Sequence, residues 1–378
     1  MRGFRRVTLL LVILLSAAIA SHAQSIVDDL PRPSQHAEVV QRIGVTDITI
    51  NYSRPLVNGR KVFGGLEAYG KVWRAGANEN TTITFTDPVT IEGKPLDRGT
   101  YGLHMIPGEN EWTVIFSKAN SSWGSFSYNQ AEDALRVTVK PQTSEFHEAL
   151  TYEFDDLKPD SAVVTMRWDK TAIPFKAAVN VNEVVEQDLR KHLRGLAQYT
   201  WDGWNDAADY LVKAKVDLEE ALTYTDKSIA VEERYENLMT KSQVLDLLGR
   251  KEEAAKFRAE ALARANATQS YAYARQLQRD KKLDEAWAAY RANAKKFPND
   301  WITHFGLARM YSAQGDYDSA VKEAKIALAG APADGSKDFV EAQIRRLEAK
   351  QDINTSGQAV AASSRIAANR RSTSSAVL

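Results

Sequence analysis

The stretch Gly315-Asp316-Tyr317-Asp318-Ser319-Ala320 decides the fold of the C-terminal half of the chain. An equivalent stretch, Leu283-Asp284-Glu285-Ala286, precedes it, and the final alanines of the two stretches lie 34 residues apart, as do Pro298 and Pro332. This period is typical of tetratricopeptide hairpins, where a small residue at the helix crossing lets two helices approach. The sequence therefore predicts a tetratricopeptide-like helical array over residues 183–350.

Two upstream units extend the repeat. Gly249–Ala254 has the same pattern, and Asp217–Ala221 is a degenerate copy. The Trp and Gly of the first helix are mostly missing, with Ala308 at an expected Gly position, so an irregular helical bundle is the alternative. Stacked hairpins form extended binding surfaces, so we expect the repeats to bind a protein or peptide partner.

The region before the repeats alternates with a period of two. Ile48, Ile50 and Tyr52 alternate with polar residues, as do residues 82–85 and 112–117. Further strand candidates are 89–92, 100–106, 134–140, 150–155, 161–168 and 173–179. About nine short strands separated by turn residues predict an all-β sandwich or barrel-like domain within residues 24–180, with 24–45 as its lead-in.

The N-terminus has the pattern of a signal peptide. Its basic residues are Arg2, Arg5 and Arg6. The apolar run Val7–Ile19 follows, and Ser21-His22-Ala23 predicts cleavage after Ala23, with Ala18-Ile19-Ala20 as a second candidate. A membrane anchor is disfavoured because a spanning helix needs about 20 apolar residues. We expect residues 1–23 to be removed, the mature chain to lack a membrane span, and the protein to be periplasmic or secreted.

Composition excludes several classes of function. The chain has 49 basic and 49 acidic residues, unlike a basic nucleic-acid binder, and no cysteine, which excludes disulfides and thiolate metal sites. No cofactor motif is present, and none is predicted. Residues 351–378 lack Trp, Tyr and Phe, and this composition is typical of a flexible tail.

A dense block of motifs follows the first predicted strand. It comprises Ser53-Arg54-Pro55, Gly59-Arg60, Phe63-Gly64-Gly65 and Trp73-Arg74-Ala75-Gly76-Ala77-Asn78-Glu79. Further motifs are Gly93-Lys94, Gly99-Thr100-Tyr101, Ile106-Pro107, Glu111-Trp112-Thr113, Trp123-Gly124, Tyr128, Asp133, Arg136-Val137 and Trp168-Asp169. Together they resemble the family called domain of unknown function 2911 (DUF2911), over roughly residues 30–180. The resemblance implies an exported bacterial protein and carries no established activity.

The block also supplies candidate ligand-binding residues. They are Arg54, Arg60, Trp73, Arg74, Asn78 and Glu79. Arginine forks bind carboxylate, phosphate or sulfate, and a Trp with Asn and Glu would suit a sugar ring, so an anionic or glycan ligand is expected. Alternatively the block is structural, with Arg54 and Arg74 paired to local acids or carbonyls and Trp73 in the core.

The remaining motifs do not predict a nucleotide, metal or catalytic site. Gly65–Lys71 matches the start of a phosphate-binding loop, but Val72 stands where Ser or Thr should bind Mg²⁺. No histidines have metal-ligand spacing, so no metal site is predicted, and His104 is predicted at a surface or sheet edge. No nucleophile elbow is present, and no catalytic residue is assigned.

Two hypotheses on function follow. The first is an exported binding and scaffold protein, whose β domain binds a ligand or partner and whose repeats mediate protein–protein interaction. The second is an envelope carbohydrate-active hydrolase or lyase with its active site in the β domain. The residues favour binding over catalysis.

Overall fold

The computed structural model describes residues 31–355, and the chain divides after Lys191 into two compact units. The signal peptide predicted for residues 1–23 lies outside the described residues. In the described part, no helix is long and apolar enough to cross a membrane.

Ten strands form two antiparallel sheets in the first unit. The strands are β1 (Gln35–Ile43), β2 (Thr46–Arg54), β3 (Thr82–Phe85), β4 (Val89–Ile91), β5 (Lys94–Leu96), β6 (Gly99–Ile106), β7 (Trp112–Ser117), β8 (Asp133–Val139), β9 (Gln142–Lys158) and β10 (Ser161–Ala178). The six-stranded sheet has the order β1-β2-β3-β6-β7-β8, and the four-stranded sheet has the order β5-β4-β10-β9.

The two sheets share one hydrophobic core. Ile50 and Phe116 come from the larger sheet, and Phe175 and Trp168 come from β10 in the smaller one. Phe116 meets Phe175 edge to face, with ring centroids 5.7 Å apart. This packing confirms the predicted β-sandwich class.

The strand pattern differs from the prediction at three places, and the first is the short strand β5, Lys94–Leu96, which no candidate covered. Residues 35–43, expected in the lead-in, form β1, an edge strand that pairs along its whole length with β2. Its alternation is weak because Ala37 and Val39 are only partly buried. The candidates 161–168 and 173–179 are one long strand, β10, whose irregular pairing around Asp169 marks the interruption read from the sequence.

Within residues 31–355, ten α-helices follow the sheets. They are α1 (Val181–His192), α2 (Trp201–Ala214), α3 (Leu218–Val231), α4 (Tyr235–Leu247), α5 (Lys251–Arg264), α6 (Ala267–Arg279), α7 (Leu283–Lys296), α8 (Trp301–Ala313), α9 (Tyr317–Gly330) and α10 (Ser336–Glu348). Although α1 falls within the predicted repeat region, its Val184 belongs to the core of the sandwich.

Helices α2 to α9 form four hairpins, with α10 packed on the last. Each second helix carries one of the repeat alanines, and all four alanines are fully buried: Ala221, Ala254, Ala286 and Ala320. Small side chains at these crossings allow the close approach that the 34-residue period predicts. The predicted tetratricopeptide-like array is confirmed.

The chain continues to pack beyond the predicted end of the repeats. Residues 351–355, assigned from composition to a flexible tail, lie against the last helices, because Ile353 is buried in their core. The remainder of the predicted tail lies outside the described residues.

Candidate functional site

Five of the six candidate residues lie on the long connection between β2 and β3, residues 55–81, and the sixth, Arg54, is the last residue of β2. Apolar side chains such as Val62 and Phe63 anchor this segment in the sandwich core. Ala75 and Asn78 adopt φ angles of 51° and 58°, in the left-handed region that only a minority of non-glycine residues occupy. The segment therefore folds into tight turns over the sheets.

Trp73 lies in the core. It is 3% exposed, stacks on Trp168 with ring centroids 5.7 Å apart, and meets Phe63 edge to face. Its Nε1 donates to the carbonyl oxygen of Gly76 at 3.0 Å. Because the indole is buried, stacked on Trp168 and bonded through its N–H within the chain, Trp73 cannot stack on a sugar ring.

Two of the candidate arginines donate to nearby backbone. Arg54 Nε donates to the carbonyl oxygen of Leu150 at 3.0 Å, which ties the end of β2 to β9. Arg60 Nε donates to the carbonyl oxygen of Val57 at 3.0 Å, and its Nη2 donates to that of Leu56 at 2.5 Å. These bonds fix both guanidinium groups in place.

Asn78 and Glu79 contact the segment that precedes β1. Asn78 Nδ2 donates to the carbonyl oxygen of Ser34 at 3.0 Å. Glu79 is exposed and forms an ion pair with Arg32. Burial acts to raise the pKa of Glu79, but the hydrogen bond from Arg32, a backbone hydrogen bond and the nearby charges of Arg32 and His36 together outweigh it, so the net pKa is lowered.

Three candidates line a single cavity of about 370 Å³, which we call the Arg74 cavity: Arg60, Arg74 and Asn78. Glu67 and Trp168 line it as well. Glu79 lines a neighbouring cavity of about 520 Å³, and Arg54 lines another of about 200 Å³. The structure thus brings together half of the predicted residues.

Two buried donors in the Arg74 cavity lack protein acceptors. Neither Arg74 Nε nor Trp168 Nε1 has a hydrogen-bond partner within the described part of the chain. Leaving a buried donor unpaired costs about 1–3 kcal/mol. The residues that carry these two N–H groups line the same cavity as Arg60, whose guanidinium is fixed by backbone carbonyl oxygens.

Glu67 is the titratable group of this cavity. Burial raises the pKa of its carboxyl to about 7, against the attraction of the Arg74 and Arg60 charges, which lower it. The carboxyl is therefore half protonated near neutral pH. Below that pH the cavity presents two guanidinium groups and no carboxylate among its lining residues.

One protein-family model matches most of this unit. Residues 34–177 match the model of DUF2911, a protein of unknown function. The match confirms the predicted resemblance, and it contains the whole lining of the Arg74 cavity except Pro33. No curated protein matches the chain at a significant level.

Similar solved structures include two that each match less than half of the chain. One is the crystal structure of the APC/C hetero-tetramer Cut9–Hcn1, with 13% identity and a TM-score of 0.29, covering 45% of this chain and 33% of that one. Another is YrrB, a TPR protein with an unusual peptide-binding site, with 15% identity and a TM-score of 0.26, covering 43% of this chain and 85% of that one. The match with Cut9–Hcn1 spans about a third of that chain's length.

Two residues that bear on the chemistry of the Arg74 cavity, Glu67 and Trp168, were not predicted as site residues. Glu67 lies within the Gly65–Lys71 stretch, which does not complete a phosphate-binding loop and therefore predicted no site. That stretch forms turns between β2 and β3 and no helix follows it, in agreement with the rejection. Trp168 lies on β10, about 90 residues after the block, and only the resemblance to the family pointed to it.

His104 of the DUF2911 domain was predicted at a surface or edge, and this was wrong. It is 3% exposed, because β6 is an interior strand and the loop before β8 covers it. Its Nδ1 lies 2.9 Å from Ser125 Oγ, and its ring meets Tyr128 edge to face. Burial lowers the pKa of His104 to about 4, against the opposing charge of Asp133. Burial thus favours the neutral form of this imidazole.

The described residues contain no cluster of three His, Asp or Glu side chains that could hold a metal ion.

Proposed function

We propose that this is an exported binding and scaffold protein. Its DUF2911 domain binds a small anionic ligand in the Arg74 cavity, and its helical repeats bind a protein partner. The observation that carries the ligand proposal is the pair of buried donors without protein acceptors, Arg74 Nε and Trp168 Nε1.

An anion fits this cavity better than a neutral sugar does. Carboxylate, phosphate and sulfate oxygens accept charge-assisted hydrogen bonds from guanidinium groups, and these bonds are stronger than neutral ones. The one tryptophan that was expected to stack on a sugar, Trp73, is enclosed in the core. The volume of about 370 Å³ is at the small end of ligand pockets, which suits a compact anion.

The cavity favours binding over hydrolysis. Glycoside hydrolases generally use two carboxyl groups, one as acid and one as base or nucleophile. Among the described residues that line the Arg74 cavity, Glu67 is the single carboxylic acid, and none is a histidine. A lone carboxyl between two arginines instead tunes the charge of a binding site.

The ligand proposal is tested by calorimetric titration of the mature chain with acetate, glucuronate, sulfate and phosphate, with glucose as the neutral control. We expect saturable binding of at least one anion and no binding of glucose. Binding of glucose alone, or of nothing in the panel, would remove the proposal.

Export is supported by the pattern of residues 1–23, which lie outside the described part of the chain. We expect protein from the envelope or culture medium to begin near Gln24, as measured by mass spectrometry of its N-terminal peptide. Cytoplasmic material that retains Met1 as its only form would contradict export.

Sulfate affinity should rise as the pH falls through about 7, because protonation of Glu67 removes the one negative charge that lines the cavity. Sulfate keeps its own charge between pH 5.5 and 8.5, so the titration reports on the protein. Removing the carboxylate charge from the cavity should raise the affinity for sulfate about tenfold. Glu67→Gln should bind sulfate with the same affinity at both ends of this pH range.

The same pKa shift has a consequence for stability. The folded-state pKa of Glu67 lies above its ordinary value of 4.5, so the fold favours the protonated form. The ionised Glu67 carboxylate destabilises the folded state. This effect is complete above about pH 7 and disappears as the pH falls below the ordinary pKa of 4.5. After a discount for partial exposure, Glu67→Gln should raise the free energy of unfolding at pH 8 by about 1–2 kcal/mol, with little change at pH 4.5. A pH-independent effect would contradict this account.

A further inference from the structure

The last described residues cross the surface of the repeats. Lys350, just after α10, adopts a φ of 54°, which reverses the chain direction. Residues 351–355 then lie against α6, α8 and α10, where each of the three central residues makes a distinct contact.

Ile353 is the apolar anchor of this segment. It is 4% exposed and packs in a cluster with Phe305 of α8 and Val340 of α10. Its backbone N–H donates to Ser312 Oγ at 3.0 Å. Its carbonyl oxygen accepts from Arg309 Nη1 at 3.2 Å.

The flanking polar residues are held by side chains of the helices. Ser312 Oγ donates to Asp352 Oδ1 at 2.8 Å, and Arg346 Nη2 donates to the Asp352 carbonyl oxygen at 2.8 Å. Asn354 Oδ1 accepts from Arg309 Nη1 at 3.2 Å and from Arg275 Nη1 at 3.4 Å. Asn354 Nδ2 donates to the carbonyl oxygen of Arg309 at 2.9 Å.

Arg309 shows why this surface suits a peptide. It is only 8% exposed, and its other hydrogen bond runs from Nε to Tyr271 Oη at 2.8 Å. The three oxygens to which its guanidinium donates, on Tyr271, Ile353 and Asn354, are all neutral. Without the segment, a largely buried cation would lose two of these acceptors, which is costly for a buried charge.

We propose that α6, α8 and α10 form a peptide-recognition site, and that the chain's own Asp352-Ile353-Asn354 occupies it. A partner protein binds here by presenting a peptide of the same chemistry, an acidic residue followed by an aliphatic residue and an amide, which displaces the segment. This inference rests on the proposed role of the repeats in binding a protein partner.

Tethering makes the segment a strong competitor. A ligand joined by a short linker acts at an effective concentration of roughly millimolar. A partner peptide therefore has to exceed this intramolecular affinity, or reach the site when the segment is released. The wild-type chain should bind a free copy of the segment poorly, and a chain whose segment is weakened should bind it well.

The test uses the full mature chain with Ile353→Asp, which places a charge in the apolar anchor position. The matched control is Ile326→Asp, the same change at an isoleucine of α9 that is 41% exposed. The probe is a fluorescent peptide with the sequence of residues 350–355, Lys-Gln-Asp-Ile-Asn-Thr, followed by anisotropy. We expect Ile353→Asp to bind it at least tenfold more tightly than the wild type and the control do.

Two further reagents keep the result interpretable. A probe with Asp in place of its Ile should not bind, and adding Arg275→Ala to the Ile353→Asp chain should weaken binding of the original probe. If Ile353→Asp lowers the helical circular dichroism, the double variant Asp352→Ala and Asn354→Ala replaces it, since both residues are only partly buried. We call Ile353→Asp, or the double variant that replaces it, the opened variant. Equal binding of the probe by the opened variant and the wild type, or no binding by either, overturns the proposed site.

An unrelated peptide library separates this inference from the proposed function. Library peptides that bind the wild type and the opened variant equally would retain a protein-binding role for the repeats and reject this site. If neither the probe nor any library peptide binds, both proposals for the repeats fail. The ligand proposal for the DUF2911 domain is not affected, because the anion titration tests it separately.

Discussion

Trp73→Ala is expected to lower the free energy of unfolding of the DUF2911 domain by about 3–5 kcal/mol, the usual effect of emptying a large aromatic site in a core. The side chain packs against Phe63 and Trp168, so its removal leaves a cavity. The Gly76 carbonyl oxygen also loses the hydrogen bond that it accepts from the indole N–H. Urea denaturation followed by tryptophan fluorescence measures the loss.

The matched control is Trp123→Ala. Trp123 is 57% exposed, and Arg32 makes a cation–π contact with it, at 5.8 Å from the ring centroid. We expect this change to cost less than about 1 kcal/mol. Equal effects at the two tryptophans would contradict the assignment of Trp73 to the core and would reopen its role as a ligand platform.

Arg74→Ala is expected to weaken anion binding by about 10- to 100-fold, which corresponds to one charge-assisted hydrogen bond. The free energy of unfolding should fall by less than about 1 kcal/mol, because Arg74 Nε has no partner in the described part of the chain to lose. Calorimetry and urea denaturation of the same preparation give both values.

Arg98→Ala is the matched control, since Arg98 is exposed and lies outside the lining of the Arg74 cavity. It should leave both affinity and stability unchanged. A large loss of stability for Arg74→Ala, with unchanged anion affinity in the folded fraction, would make Arg74 a framework residue and remove the ligand proposal.

The helical repeats could be predicted from the sequence because their packing demands one kind of residue at fixed spacing. A larger side chain at Ala254 or Ala320 would separate the helices of its hairpin, so the period survives even where the Trp and Gly of the first helix are lost. The strand β1 was missed for the opposite reason. An edge strand buries little, and the alternation around Val39 is too shallow to stand out.

The candidate site could be predicted only in part. Arg60, Arg74 and Asn78 lie within one sequence block, and the turns of that block bring them to one cavity. Trp168 reaches the same cavity from a distant strand through sheet pairing and core packing, which no local pattern encodes. Glu67 carries no distinguishing motif, and its raised pKa is a property of burial that appears only in the folded chain.

The roles of the arginines also depended on the fold. Arg54 and Arg60 are similar to Arg74 in sequence context, yet Leu150 and Val57 supply backbone acceptors to the first two. Only the geometry distinguishes a guanidinium that donates to carbonyl oxygens from one whose Nε has no partner among the described residues.

The most direct test of the anion proposal is the indole N–H signal of Trp168 in a proton–nitrogen correlation spectrum, assigned by its loss in Trp168→Phe. Trp73 provides an internal reference, because its indole N–H is already bonded to Gly76. The account predicts that a bound anion moves the Trp168 signal downfield in a saturable manner, leaves the Trp73 signal in place, and loses this effect in Arg74→Ala. A Trp168 signal that stays fixed while an anion binds, or that moves equally in Arg74→Ala, would contradict it.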